Sequence, residues 1–66
     1  MAAIKILEIL GTSKDSWSDA AKEAVKEAKK SVRNITGVEV ISQTAKVADG
    51  KISEYHTTCK IAFRVE

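Results

Sequence analysis

The 66-residue sequence predicts an α+β chain of order β-α-β-β, a three-stranded antiparallel sheet with one helix packed on it. Three observations carry this reading. Apolar residues recur at helical spacing from Ser16 to about Arg33. From Ile52 to Val65 the sequence alternates with a period of two, as a strand requires. Between two strand-like runs stands Asp49-Gly50, the pair favoured in a type I′ hairpin turn, which needs positive φ at both centres.

The first strand is expected over Ala3 to Leu10, a run rich in apolar and β-branched residues. Ile4, Ile6, Glu8 and Leu10 share one face, and Ala3, Lys5, Leu7 and Ile9 the other. Both are largely apolar, so the strand is expected to be covered on both sides. Gly11-Thr12-Ser13 reads as the turn that ends it. Ser16 is suited to cap the helix N-terminus, with Asp19 three residues on as an acidic capping-box partner. Trp17, Ala21, Ala24, Val25, Ala28 and Val32 form one stripe, small enough for the helix to lie close to a sheet. Acidic residues come early and Lys29, Lys30 and Arg33 late, complementing the helix dipole. Asp19–Lys22, Glu23–Lys26 and Glu27–Lys30 are opposite charges at i,i+3 on a solvated face.

Asn34 to Gly37 ends the helix, and Val38 to Val47 reads as the second strand. In the third, Tyr55, Thr57, Cys59, Ile61, Phe63 and Val65 are expected to face the helix, and Glu54, His56, Thr58, Lys60, Ala62 and Arg64 the opposite side. A two-residue turn then sets Val47 opposite Ile52, Gln43 opposite His56, Val40 opposite Cys59 and Glu39 opposite Lys60. The last is an opposite-charge cross-strand pair.

Size and composition bound the function. A monomer of 7.2 kDa exposes roughly 4,100 Å² and buries only about 60% of its unfolded surface, which leaves it marginal alone. Small chains gain stability from disulfides, a structural metal or oligomerisation. With one Cys and one His, an internal disulfide and a structural zinc site are both excluded. A homo-oligomer is therefore expected. The third strand supports this. Fourteen residues at ~3.4 Å each reach about 48 Å, whereas a compact chain of this length has a diameter near 28 Å, about 2.6 times its expected ~11 Å radius of gyration. Its end, Ile61 to Glu66, is expected to overhang the hairpin partner. A net charge of +2 is too balanced for a nucleic-acid binder. No run is long and apolar enough for a membrane span, and no signal peptide is evident at the N-terminus. With a lone thiol, this points to the cytoplasm.

The pattern resembles the dodecin family. It comprises Ile4 to Leu10 with Gly11-Thr12-Ser13, Ser16-Trp17 opening the helix, Arg33-Asn34 closing it, Asp49-Gly50-Lys51 at the hairpin and Phe63-Arg64-Val65-Glu66 at the end. The resemblance implies a single dodecin-like domain over residues 1–66 and a hollow shell of twelve chains. It further implies storage of a small-molecule ligand, riboflavin or FMN, at subunit contacts, without turnover. The implied cofactor-binding positions are Gly37, Val38, Gln43 and His56. Flavin-binding members carry a Trp two residues before the Glu that matches Glu39, and it stacks on the isoalloxazine; here that position is Gly37. They carry a Gln after the aromatic that matches Tyr55; here it is His56. Loss of aromatic stacking, worth ~1–3 kcal/mol per ring, weakens binding by roughly ten- to a hundredfold.

Single residues leave alternatives open. Trp17 reads as packing. His56 suits a solvated, ligand-contacting or acid–base role near neutrality, but no second catalytic group stands at a fixed spacing from it, so no enzyme is expected. Cys59 reads as a buried, inert thiol, on the strand face opposite His56. Asp15, Asp19, Glu39, Asp49 and Glu54 allow an alternative in which the shell binds no flavin and is structural or holds a divalent cation such as calcium. Calcium needs six to eight oxygens, and no contiguous acidic loop supplies them, so that site would be built across chains or with water.

Overall fold

The computed structural model of the chain describes residues 3–65, so Glu66 lies outside the described residues. The order is β1 (Ala3–Ser13), α1 (Trp17–Lys29), β2 (Ile35–Ala48) and β3 (Lys51–Val65). Both neighbours pair antiparallel to β3, giving the sheet order β1-β3-β2. This is the expected α+β architecture.

Local chemistry accounts for the joints. Ser16 caps the helix in extended conformation, its Oγ accepting from the Asp19 N–H at 3.0 Å. Asp49 and Gly50 take φ of 53° and 73°, the left-handed pair a type I′ turn needs. The helix is shorter than its periodicity suggests. Lys30 caps it, and the Ser31 and Val32 N–H groups both close on the Ala28 carbonyl. Asn34, at φ 59°, then redirects the chain, so β2 begins at Ile35, three residues earlier than expected. Among the expected helix charge pairs, Lys30 and Glu27 meet at 3.2 Å, both exposed.

The helix packs on β1 and β3 and barely reaches β2. Ala20, Ala24, Ala28, Thr57, Cys59 and Ile61 are fully buried between the layers. Leu7, Ile9, Val25, Val32 and Ile35 pack against this core. The helix sits so close because its inner row is alanine and because Gly11 lies beneath it. A Cβ at Gly11 would stand 1.9 Å from the Ala20 carbonyl oxygen. Gly11 is thus not the expected turn. It continues β1 opposite Thr57, and the strand runs on to Ser13.

The register holds next to the turn and again at Val40 and Glu39, slips between these stretches, and shifts once more between Ile35 and Gly37, where Thr36 is skipped. Val47 faces Ile52, Val40 faces Cys59 and Glu39 faces Lys60, as expected. Gln43, however, faces Thr57, and His56 faces Thr44. Ser53 on β3 and Ile41 on β2 are each skipped by the ladder. The first bulge shifts the pairing by one residue and the second restores it.

The expected overhang is also relocated. β3 is paired to Phe63 by β2 and to Val65 by β1, so its end is flanked on both sides. What projects is the opposite end. β1 stops at Ser13 opposite Tyr55, so beyond that row the Asp49-Gly50 hairpin continues as a two-stranded ribbon. The molecule accordingly measures 52 × 19 × 13 Å, with a radius of gyration of 13.4 Å. Its accessible surface is 4857 Å², above the roughly 4,100 Å² typical of a monomer of this mass.

Candidate functional site

Residues directly opposite across antiparallel strands project to the same side of a sheet, so the register assigns the faces. One side carries the helix. The other is open, and across it run the rows Ile6–Ala62–Gly37, Glu8–Lys60–Glu39, Leu10–Thr58–Ser42 and Thr12–His56–Thr44. Ile4, Ile6 and Leu10 are half exposed on this open face, contrary to the expectation that β1 is covered on both sides.

The four expected binding positions do not converge within one chain. Gly37 and His56 share the open face, but Gly37 faces Ala62, six residues along β3 from His56. At ~3.4 Å per residue they are about 20 Å apart. Val38 and Gln43 face Ile61 and Thr57 and so project to the helix side. The expected opposition of Gln43 and His56 is undone by the bulges at Ile41 and Ser53, which turn Gln43 to the other face.

Gly37 borders the register shift at Thr36, but neither close packing nor a left-handed backbone requires a glycine there. A Cβ there would meet no atom within 4 Å, and its φ is not positive. With Ala62 beside it and Ile6 beyond, it leaves a shallow step on the open face.

His56 is held by Glu54, which the sequence places on the same strand face and offers as a candidate cation ligand but not as a partner of the imidazole. Its Nε2 donates to Glu54 Oε1 at 2.7 Å. The signal was present, since residues i and i+2 of a strand share a face. The hydrogen bond from His56 holds the Glu54 carboxyl below the usual carboxylate range. Desolvation opposes this, and the charges of His56, Lys46 and Lys14 reinforce it. A carboxyl depressed in the folded state stabilises the fold above its ordinary range and loses that contribution as pH falls through the folded value. Replacing His56 with Ala is expected to raise the Glu54 midpoint, as read by an NMR titration of its carboxyl carbon.

Trp17 is committed to packing. Its indole Nε1 donates to the Thr44 carbonyl at 2.8 Å, and its ring meets Tyr55 edge-on at 4.8 Å. Thr57 Oγ1 donates to the Trp17 carbonyl at 2.9 Å, which satisfies the buried hydroxyl. Cys59 is buried, and desolvation pushes its thiol up, away from the reactive thiolate. Among the described residues, no three His, Cys, Asp or Glu side chains come together as a metal site. No helix there is long and apolar enough to cross a membrane.

Fold and site define a class of protein: a small chain whose long sheet keeps one face open and whose polar groups cannot close a pocket alone. The chain belongs to the dodecin family, whose model matches residues 3–66. It is 39% identical over 66 residues to calcium dodecin of Mycobacterium tuberculosis strain H37Rv, covering 98% of this chain and 92% of that protein. Dodecin from Streptomyces coelicolor superimposes with a TM-score of 0.95 at 28% identity, over 98% of this chain and 93% of that one. The crystal structure of the calcium-chelating immunodominant antigen calcium dodecin of M. tuberculosis, described as having a novel calcium-binding site, gives 0.84 at 34% identity over 97% and 91%.

Proposed function

We propose that this chain assembles into a homo-oligomeric shell of twelve copies and acts in the cytoplasm as a binding and storage protein, not as an enzyme. Its small-molecule ligand sits where copies meet. The separation of Gly37 and His56 carries this reading. They share the open face but lie about 20 Å apart along β3, so a site using both draws them from different copies. Val38 and Gln43, on the other face, line the contact from the helix side.

The first ligand class is a flavin, riboflavin or FMN. The step at Gly37 gives room for a ring system, and His56 offers a hydrogen bond to its polar edge. Without an aromatic at Gly37 the binding is weak. The assembled protein is titrated with riboflavin and FMN, following flavin and Trp17 fluorescence. Saturation is expected in the micromolar to millimolar range, and a Kd weaker than about 1 mM overturns the flavin reading. In the variant carrying Gly37→Trp and His56→Gln, affinity is expected to rise roughly ten- to a hundredfold, because a stacked aromatic contributes ~1–3 kcal/mol. A Cβ at position 37 meets no atom of the chain within 4 Å.

The similarity to calcium dodecin favours a second reading, a shell that holds calcium. The ion's six to eight oxygens would come from several copies, with Asp15, Asp19, Glu39, Asp49 and Glu54 as candidates. Isothermal titration with calcium tests it, and heat no greater than that from magnesium would refute it.

A further inference from the structure

His56 stands among hydroxyls. Thr12 of β1 and Thr44 of β2 lie directly across from it, and Thr58 and Ser42 occupy the next row of the open face. A hydroxyl can donate or accept, so these four do not dictate what a ligand must offer. The imidazole does. Its Nε2 is 2.7 Å from Glu54 Oε1. An ionised carboxylate only accepts, so Nε2 carries the hydrogen, and whenever the ring is neutral Nδ1 is left as an acceptor. No buried side-chain nitrogen or oxygen among the described residues lacks a partner, and the ring's hydrogen bond runs through Nε2. Nδ1 therefore reaches the surface. Lys46, across from Glu54 on β2, and Lys14, just past the end of β1, favour the ionised carboxylate. Lys60, with Glu8 and Glu39 beside it, lies four residues further along β3.

We propose that Glu54 is a positioning residue. By holding His56 with hydrogen on Nε2, it presents Nδ1 as a fixed acceptor and selects ligands whose edge offers an N–H donor, such as a cyclic imide. This rests on the reading that His56 meets the ligand, and it adds a direction to that contact. A free imidazole would exchange tautomers and accept either edge. Protonation turns Nδ1 into a donor and reverses the preference.

Long-range proton–nitrogen NMR on the assembled protein reads the tautomer. Hydrogen is expected on Nε2, with mixed tautomers in Glu54→Gln, because an amide can donate as well as accept. Riboflavin and N3-methylriboflavin, which lacks the imide hydrogen, read the selection. The wild type is expected to bind the methylated flavin about tenfold more weakly, the weight of one ordinary hydrogen bond. Glu54→Gln is expected to lose most of that difference. Equal binding of the two flavins by the wild type, or hydrogen predominantly on Nδ1, overturns the proposal. If neither flavin binds, the flavin reading falls, and the spectrum alone decides. An Nε2–H ring that Glu54→Gln leaves undisturbed then refutes the role of Glu54.

Discussion

Gly11→Ala is expected to unfold the protein, although it adds a single methyl group. The new Cβ would lie 1.9 Å from the Ala20 carbonyl oxygen and 2.9 Å from the Ala24 amide nitrogen. Both obstacles are backbone, so no side chain can rotate away. The helix must lift from β1 along the row where Ala20, Ala24 and Ala28 are fully buried. Overpacking a core typically costs ~1–3 kcal/mol when neighbours can adjust. Here the adjustment is a rigid displacement of the helix, and the loss is expected to exceed ~4 kcal/mol, among the largest effects of a single substitution. A core of this size rarely supplies more than ~3–5 kcal/mol. Gly37→Ala is the control. Nothing lies within 4 Å of its Cβ position, and its effect is expected within ~0.5 kcal/mol. Urea unfolding of both variants at matched concentration separates the two glycines, and a Gly11→Ala transition close to wild type would refute the argument.

The two glycines also show what a sequence can and cannot tell. Gly11 in Gly11-Thr12-Ser13 has the composition of a turn, and only the approach of the helix, a long-range fact, makes it a strand residue. Asp49-Gly50 is different, because its signal is local and the turn forms as the dipeptide demands. Ser16 is legible for the same reason. Register is local only near the turn that sets it. The bulges at Ser53 and Ile41 have no glycine or proline to announce them. They cancel, so Val40 and Glu39 pair as expected while Gln43 between them faces the wrong side. The helix end at Lys29 follows from the chain's turn at Asn34 and not from a break in apolar spacing. The four candidate positions are not gathered by the single chain. Gly37 and His56 lie six residues apart along β3, and the proposed shell would bring them together only through contact between copies, which single-chain periodicity does not encode. The Glu54–His56 pair was readable from i,i+2 spacing alone.

Replacing Val47 with Asp and Ile52 with Lys together is expected to break the assembly while leaving the hairpin intact. These two face each other on the ribbon that projects past β1 and the helix, and they are 65% and 47% exposed in the isolated chain. A two-stranded ribbon has no layer to pack on and is marginal by itself in water, so the apolar pair has reason to dock on another copy. Fully burying such a side chain contributes ~1.5–3 kcal/mol, and a closed shell repeats that gain at every equivalent contact. Asp opposite Lys is a favourable cross-strand pair in solvent, so the turn and its register are retained. Buried at an interface, the same pair must lose its hydration, at a cost of several kcal/mol per ion. Ile6→Asp, on the open face at 53% exposure, tests the second uncovered surface without touching the ribbon. By light scattering or sedimentation, the wild type is expected near twelve times 7.2 kDa, and the ribbon variant at a much lower mass. Because the dissociated chain keeps only its own small core, its melting temperature is expected to fall and to lose the dependence on protein concentration that assembly gives the wild type. A wild type of one or two chains refutes the shell. An unchanged mass in the ribbon variant shows instead that the hairpin projects into solvent and that the open face around Ile6 carries the contact.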